Sequence, residues 1–354
     1  MKENNPIYLK LLKIILWIYI ILCVIIAGLN YGYADKAPPN IAKMITWIWL
    51  IYENWIKTVF ILIGSFLTIK IIGSSKRTKM RKRNLIGLII AAFIIHVITP
   101  LIVYNYELYF YAMPLPWTTI PLQLLDKNSS FYQSTIAAWG AAGISSALIF
   151  FICISVIIFV ATLLFGRRFQ CSSFCLFNGF AAEIFEPVIP LIGKKKRIKP
   201  GTLRILLIMR WLFLAAALFF VYCWILYLLG FITAGSIGII AEIETYKYLT
   251  GELMMMMFFW IAFTGRGYCY FCPLGTSLSF LAIAADQKIT TDNTTCVKCS
   301  KCNDTCPMSI DIMGKAVNGN SVRDIKCVGC GHCVDECPTR NLSYSTRFID
   351  RNTK

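Results

Sequence analysis

Two short stretches near the end of the chain, "CVKCSKCNDTCP" (residues 296–307) and "CVGCGHCVDECP" (residues 327–338), repeat one spacing of cysteines. Each has four cysteines separated by two, two and three residues, and a proline follows the last one. The chain holds fifteen cysteines, and most of them lie between residues 269 and 337. Clustered cysteines in a reducing compartment more often hold metal than form disulfides. The spacing therefore predicts metal sites.

The spacing is that of bacterial-type ferredoxins, in which the fourth cysteine of each run binds the other of two [4Fe–4S] clusters. By this rule the first cluster has the ligands Cys296, Cys299, Cys302 and Cys337. The second cluster has the ligands Cys327, Cys330, Cys333 and Cys306. Zinc is the alternative, because C-x2-C pairs also suit zinc, but two complete runs favour iron–sulfur clusters. His332 adds a fifth donor to the second run, so we expect it to face solvent or contact a sulfur atom.

The composition indicates a membrane protein. Of 354 residues, 57% are hydrophobic and 15% are charged, whereas soluble domains carry about 25% charged residues. The net charge of +17 includes two basic runs, residues 76–83 and 194–204, which lie between apolar segments. Lysine and arginine are retained on the cytoplasmic side of membranes, and no nucleic-acid recognition motif accompanies the charge. We therefore expect lipid and protein partners, and no nucleic acid.

Apolar segments of about 20 residues, the length that spans a bilayer, predict an α-helical polytopic membrane protein with about six transmembrane helices. The predicted spans are residues 14–34, 58–75 and 84–106, a fourth that ends at residue 166, and residues 211–235 and 248–264. A cleaved signal peptide is the alternative for the first span. With the N-terminus inside, the basic runs share one side of the membrane. This places both termini and the cysteine-rich end on the cytoplasmic face of the inner membrane.

The chain divides into three predicted domains. Residues 1–83 hold N-terminal transmembrane helices, residues 84–285 a repeated transmembrane region, and residues 286–354 a two-cluster ferredoxin domain of the α+β class. Residues 106–137, rich in aromatic residues and prolines, are expected to form an interfacial or re-entrant segment on the outer side. The ferredoxin domain has too few apolar residues for a core of its own, so we expect it to depend on its metal sites.

A second cysteine pattern occurs twice at the ends of predicted spans, as "GRRFQCSSFCLFNGFAAEIF" (residues 166–185) and "GRGYCYFCPLGTSLSFLAIA" (residues 265–284). We interpret the two stretches as a parallel internal repeat, in which spans three and four correspond to spans five and six about an axis along the membrane normal. Such an axis brings four thiols together, a full set for a third iron–sulfur cluster at the membrane surface. These are Cys171, Cys175, Cys269 and Cys272.

Three arginines adjoin this third predicted site: Arg167, Arg168 and Arg266. Beside a cluster they would offset its negative charge and lower the pKa of the thiols, although a cytoplasmic location alone also accounts for them. Two separate thiol pairs or a disulfide are the alternatives for the four cysteines. The remaining cysteines lie in predicted helices and are assigned no role: Cys23, Cys153 and Cys223.

Together these motifs resemble the NapH, NosR and CcoG group of membrane polyferredoxins, in which "GR-x-x-C-x3-C-P-x-G" stretches flank transmembrane helices and a two-cluster ferredoxin domain follows. The resemblance covers about half of the chain, from the fourth span to Pro338. Two features depart from the family pattern. Leu176 stands where the family has proline, and two residues rather than three separate Cys269 from Cys272. The sequence shows no flavin-binding domain of the NosR type, which argues against NosR-like regulation.

The resemblance implies an electron-transfer subunit of a quinol-dehydrogenase-type complex, alone or in a homo- or hetero-oligomer. Such a subunit passes electrons between a quinone or quinol pool and a redox protein, for example a ferredoxin, a flavoprotein or a reductase subunit. His96 in the third span is the candidate quinone-binding residue, because ionisable groups within a membrane are functional candidates. A histidine that is hydrogen-bonded to a neighbouring helix is the alternative. No catalytic residue is predicted, since the sequence shows no motif for bond-breaking chemistry.

Two other functions stay open at this point. One is a CcoG-like metal reductase that serves cofactor assembly. The other is a redox-sensing membrane regulator or transporter whose clusters are structural. A transporter would place polar residues along several spans, whereas the predicted spans contain few beyond Lys70 and His96, and no carboxylate in mid-span. This pattern favours electron transfer.

Overall fold

Long apolar helices dominate the computed structural model, which describes residues 6–73, 78–194, 197–291 and 296–349. Within these ranges, five helices are long and apolar enough to cross a membrane. They are α1 (Pro6–Gly32), α2 (Pro39–Ile72), α3 (Lys79–Val103), α4 (Ser130–Phe165) and α5 (Pro200–Leu228). Large apolar side chains on their outer faces, such as Ile21 and Ile25 of α1, are about half exposed, as lipid contact requires. These features indicate that the chain is a membrane protein.

The second predicted span is wrong in its start, because α2 begins at Pro39 rather than at residue 58. Proline at the first helical position needs no hydrogen-bond partner for its nitrogen and favours this start. Glu53 and Lys57 lie inside α2, where the Lys57 ammonium is 2.7 Å from the Glu53 carboxylate. An ion pair one helical turn apart allows both charges to enter a helix that is otherwise apolar. The predicted end of this span at residue 75 and parts of the basic runs (residues 76–77 and 195–196) lie outside the described residues.

The sixth predicted span corresponds to a helical stretch that is less apolar than the other five. It consists of α6 (Ala234–Tyr246), a π-helical segment (Lys247–Met254) and α7 (Met255–Ala262). Glu244, Lys247 and Glu252 lie within it. That this stretch crosses the membrane stays a prediction, as does the internal repeat.

Helical irregularities recur at four places in the membrane part. Two π-helical segments interrupt long helices, Tyr52–Ile56 in α2 and Phe93–Ile98 in α3, and a third follows α6 as given above. The fourth, Phe169–Phe174, lies just beyond the end of α4. π-Helical turns are rare and concentrate at functional sites. Shorter elements in this part are Ala34–Lys36, Leu108–Tyr111, Ile120–Gln123, Asn178–Ile184, Glu186–Val188, Tyr268–Tyr270 and the longer α8 (Pro273–Ala284).

The C-terminal region is a small α+β unit. Strand β1 (Lys288–Thr291) pairs antiparallel with β2 (Leu342–Ser345), so that Lys288 faces Ser345 and Thr291 faces Leu342. Three short helices lie between the strands: Lys301–Thr305, Met313–Val317 and His332–Asp335. Its buried apolar residues, including Ile289 and Val328, belong to the same core as those of α1 to α3. The unit thus shares its core with the membrane helices.

Buried hydrogen bonds fix this unit to the membrane helices. The Asp335 carboxylate accepts hydrogen bonds from the backbone nitrogens of Met80 (3.1 Å) and Arg81 (2.9 Å) at the start of α3. The Asn84 amide donates to the Cys330 carbonyl at 2.9 Å. At the end of α4, the Tyr344 hydroxyl donates to the backbone carbonyl of the helix's last residue at 2.7 Å. The Asp335 carboxylate is also stabilised by the dipole of α3, because it lies at the N-terminus of that helix. Together, the contacts at α3 and at the end of α4 fix the orientation of the C-terminal unit.

Candidate metal centre

Twelve of the fifteen cysteines gather in three groups of four, and each group lines one cavity. The outer dicluster cavity is lined by Cys296, Cys299, Cys302 and Cys337. The inner dicluster cavity is lined by Cys306, Cys327, Cys330 and Cys333. The membrane-surface cavity is lined by Cys171, Cys175, Cys269 and Cys272. The structure therefore brings together each predicted ligand set.

Matching backbone conformations shape the two dicluster cavities. In the first cysteine run, Lys298 and Ser300 have positive φ angles of 53° and 59°. The equivalent positions of the second run are Gly329 and Gly331, with φ angles of 68° and 77°. Left-handed residues on both sides of the second cysteine curl each run so that its first three thiols converge. The fourth thiol of each run lines the other cavity, which is the exchange that the spacing predicts.

Packing allows little change at Gly331, which lies beside the start of α3. A Cβ atom there would lie 2.8 Å from the Cβ atom of Met80. Glycine is thus required at this position both by its φ angle and by the close approach of the membrane helix.

The membrane-surface cavity is built from the two stretches of the predicted repeat. Cys171 lies on the π-helical segment Phe169–Phe174, and Cys269 lies on the turn Tyr268–Tyr270. Cys272 caps α8, and its sulfur accepts a hydrogen bond from the Gly275 nitrogen at 3.3 Å. The Asn178 amide donates to the Cys269 sulfur at 3.0 Å, while its oxygen accepts from the indole nitrogen of Trp260, also at 3.0 Å. These sulfur atoms are therefore held in place as hydrogen-bond acceptors.

The close approach of α3 also depends on a glycine. A Cβ atom on Gly87 would lie 2.6 Å from the Cβ atom of Ser173, in the segment that carries Cys171. The position of this cysteine is thus coupled to the packing of a membrane helix.

Burial makes most of these thiols weak acids. It raises the pKa of Cys302 and of Cys327 to about 11, and it raises the pKa of Cys175 and Cys272 as well. For Cys175 and Cys272 desolvation is the main cause of the raised pKa, and hydrogen bonds from the backbone nitrogens of Gly179 and Gly275 partly oppose it. That the arginines lower the thiol pKa values beside a cluster stays a prediction. Such thiols are poor nucleophiles, whereas a bound metal cation would stabilise their thiolate form. All fifteen cysteines lie within the described residues, and none forms a disulfide there.

A buried network of charges lies between the membrane-surface and inner dicluster cavities. The Glu183 carboxylate forms an ion pair with Arg266 and lies 3.0 Å from the Nε2 atom of His332. The side chain of Asn84 donates to the same carboxylate at 3.0 Å. Burial alone would raise the pKa of Glu183, but His332 and Arg266 together hold it below its ordinary value. The expectation that His332 faces solvent is wrong, since its side chain is buried against this carboxylate.

The three predicted arginines occupy different places. Arg167 lines the membrane-surface cavity, and Arg266 donates hydrogen bonds to the Cys171 carbonyl and to the Ser172 hydroxyl. Arg168 instead faces the dicluster unit, where it donates to Asn84 at 3.2 Å and lies over the Tyr344 ring. Sequence reasoning missed Glu183 and Arg210. Each is a single charged residue within an apolar stretch, and this pattern was the signal that could have revealed them.

A larger cavity, of about 140 Å³, lies among the membrane helices, and His96 is one of the residues that line it. Aromatic side chains form much of its wall, and the titratable groups on it are Glu53, Lys57, His96, Glu244, Lys247 and Glu252, with several tyrosines and Cys23. The ring of His96 stacks on that of Tyr109, with 6.1 Å between centroids. Met113 and Phe177 line this aromatic cavity and the membrane-surface cavity alike. The two cavities are therefore neighbours.

Three carboxylates line this cavity, and Glu53, which lies within α2, contradicts the expectation that the spans have no carboxylate in mid-span. Glu252 is 3.0 Å from the Lys247 ammonium. Glu244 accepts a hydrogen bond from the Thr119 backbone nitrogen at 2.9 Å. Each carboxylate has a cation or donor beside it, which is what makes its burial among apolar residues affordable in energy.

Comparisons with known proteins identify a family for the C-terminal region and one relative over about half of the chain. Residues 288–338 match the family model described as a 4Fe-4S dicluster domain, which indicates metal binding and iron–sulfur electron transport. Over 173 residues the chain is 30% identical to "Uncharacterized protein MJ0750" of Methanocaldococcus jannaschii, covering 48% of this chain and 70% of that protein. No solved structure matches the chain significantly. The resemblance to the NapH, NosR and CcoG group stays a prediction. The chain carries a 4Fe-4S dicluster domain and belongs to the family of this archaeal protein.

Proposed function

We propose that the protein passes electrons between a membrane quinone or quinol pool and a redox protein through three iron–sulfur clusters. The observation that carries this proposal is the set of three four-cysteine cavities beside an aromatic cavity within the membrane helices. We assign [4Fe–4S] clusters to the two dicluster cavities, and an iron–sulfur cluster to the membrane-surface cavity. Iron–sulfur clusters, when bound, supply one-electron transfer without making or breaking bonds in the protein.

The protein itself contributes close contacts between the walls of neighbouring cavities. The Ser172 hydroxyl, next to Cys171, donates to the Val328 carbonyl, next to Cys327, at 3.3 Å. Arg266 donates to the same Ser172 hydroxyl at 3.0 Å and forms an ion pair with Glu183. Packed side chains and hydrogen bonds here exclude water and hold the cavities in a constant relation, as electron transfer between fixed centres requires.

The aromatic cavity supports a quinone as the membrane substrate. Reduction of a quinone to a quinol takes two electrons and two protons, so its site needs apolar ring surfaces and proton-exchanging groups together. The Nδ1 atom of His96 is buried and has no hydrogen-bond partner among the described residues. A quinone oxygen would provide this missing partner. Glu252 and Lys247, which line the same cavity, are further groups that could exchange protons.

The outer dicluster cavity supports a redox protein as the other partner. Cys299 is exposed, and Val297 beside it is 61% exposed. Lys298, Lys301 and Arg340 are exposed around the same cavity. A basic rim steers an acidic partner toward its centre, so we propose an acidic ferredoxin or flavoprotein that docks on the cytoplasmic side of the membrane.

Iron content tests the assignment of the clusters. Anaerobically purified protein is expected to hold about 12 irons, four for each of three clusters. Cys269→Ala is expected to hold about 8, and Cys223→Ala, which alters a buried cysteine outside the three groups, should keep about 12. About 8 irons in both the unaltered protein and Cys269→Ala would refute the third cluster.

Oxidation by a quinone analogue tests the substrate. Anaerobic addition of a short-chain quinone to the chemically reduced protein is expected to restore the visible absorbance of the oxidised clusters. His96→Asn should slow this reaction while the iron content stays unchanged. Full iron content without any reaction with quinol or oxidation by quinone would refute the quinone assignment and favour a sensor or metal reductase.

A further inference from the structure

Three arginines near the membrane-surface cavity are completely buried, at 0 to 1% exposure: Arg167, Arg210 and Arg266. Arg266 has an anionic partner, Glu183. Neither Arg167 nor Arg210 forms an ion pair within the part of the chain that the structure describes. The Asp324 carboxylate acts electrostatically on Arg210 but forms its ion pair with Lys326, at 3.6 Å. A buried charge without a paired counter-charge is strongly unfavourable, so the two arginines favour a further anion.

The hydrogen bonds of these two arginines are also incomplete. Arg167 donates from one terminal nitrogen to the Ile325 carbonyl at 2.8 Å, and its Nε atom and other terminal nitrogen have no partner among the described residues. Arg210 donates from Nε to the Thr276 hydroxyl at 3.2 Å, and both of its terminal nitrogens are buried without a partner there. Five donors in a fixed planar group are suited to anions, and most of them remain available in each residue.

The two guanidinium groups lie near Cys272, on one side of the membrane-surface cavity. Arg167 lines this cavity, and its Nη2 atom would lie 3.0 Å from a Cβ atom on Gly275. Arg210 donates to Thr276, which lies in the first turn of α8 and four residues after Cys272, and the Cys272 thiol acts on it electrostatically. The positive end of the α8 dipole adds to the same potential. The inner dicluster cavity differs, because the Glu183 carboxylate lies within 4.8 Å of the Cys330 sulfur.

We propose that Arg167 and Arg210 balance the negative charge of the membrane-surface cluster and raise its reduction potential above that of the inner dicluster site. This inference rests on the third cluster of the proposed function. Adding one electron makes a cluster more negative, with no bond or proton exchanged, and nearby positive charge stabilises that reduced form. Electrons supplied by a redox protein at the outer cavity would then move toward the membrane, which assigns a direction to the transfer.

Redox titration of the anaerobic holoprotein, followed by electron paramagnetic resonance, tests this role. Arg210→Met is expected to lower the midpoint potential of one cluster and leave the other two unchanged. Arg210→Lys, which keeps the positive charge, should have a midpoint potential close to that of the unaltered protein. Arg204→Met is the matched control, since Arg204 is exposed on the same helix, and it should change none of the three potentials. Unchanged potentials in Arg210→Met, or an equal shift of all three, would overturn the inference.

Loss of the cluster is a separate informative outcome. If Arg210→Met falls from about 12 irons to about 8, Arg210→Lys is expected to keep about 12, because the cluster requires charge rather than shape. Loss of iron in both variants would overturn the inference. About 8 irons in the unaltered protein would instead refute the third cluster itself, whereas about 12 irons with unmoved potentials refutes only the role of the arginines.

Discussion

Glu183 is the position at which a single change tests the buried charge network most directly. Glu183→Gln removes the carboxylate that faces Arg266 and leaves that guanidinium as an uncompensated buried charge. The two side chains are 1% and 0% exposed, so water does not screen them as it screens surface pairs. Breaking a buried pair on one side costs about 3–5 kcal/mol, compared with about 0–1 kcal/mol for a surface pair. We therefore expect a loss of stability of about 4 kcal/mol.

Thermal unfolding of the detergent-purified protein measures this loss. On a scale of about 2–4 °C per kcal/mol, Glu183→Gln should lower the melting temperature by about 10 °C. Asp286→Asn is the matched control. It breaks a pair with Arg323 of 2.8 Å, in which the arginine is 65% exposed, and a pair with Lys288 of 2.7 Å. Both pairs are partly exposed to solvent, so this variant should lower the melting temperature much less than Glu183→Gln does.

A second replacement separates charge from shape. Adding Arg266→Met to Glu183→Gln removes the uncompensated charge, and we expect part of the lost stability to return. Iron content is measured in every variant, so that cluster loss is not mistaken for loss of the ion pair. If Glu183→Gln melts no earlier than Asp286→Asn at equal iron content, the network does not stabilise the protein and the reasoning fails.

Three further variants probe the cysteine sites. Gly87→Ala should lose about four irons, because the added methyl group collides with Ser173. The control Gly28→Ala places its methyl group in open space and should keep all of its irons. Equal iron contents in the two variants would contradict this prediction. Gly331→Ala should cost about 1–3 kcal/mol through its left-handed backbone, and an unchanged melting temperature would contradict that. Asn178→Ala should lower the midpoint potential of one cluster, since hydrogen bonds to sulfur tune potentials; an unmoved titration would argue against it.

The grouping of the cysteines could be predicted because it depends on local spacing and ligand number. The two runs of four cysteines determine their own loops, and the match of residues 288–338 to the dicluster family agrees with that interpretation. The grouping of the four membrane-surface cysteines is harder to predict, because Cys171 and Cys269 are far apart in sequence. It can be predicted only because both cysteines lie in similar stretches that follow an apolar segment.

The buried charges could not be predicted in the same way. A charge in an apolar stretch normally marks the end of a span, which is why the second span was predicted to begin after Lys57. Whether such a charge can enter a membrane helix depends on a partner. The partner of Glu53 is Lys57, one turn further along the same helix. The partner of Glu183 is Arg266, which comes from a distant segment of the chain. Tertiary contacts decide such cases, and no periodicity in the sequence reports them.

The location of the intramembrane charges separates electron transfer from ion transport. A transport path needs polar groups at successive depths of the bilayer. Glu53, His96 and Glu252 instead line one aromatic cavity, and each comes from a different π-helical segment. Widened helical turns expose backbone and redirect side chains, and three of them at one cavity indicate a site built for a ligand. Phe177 lines both this cavity and the cavity of the four thiols at the membrane surface. In the proposed function, protons would therefore be exchanged on one side of Phe177 while electrons cross it.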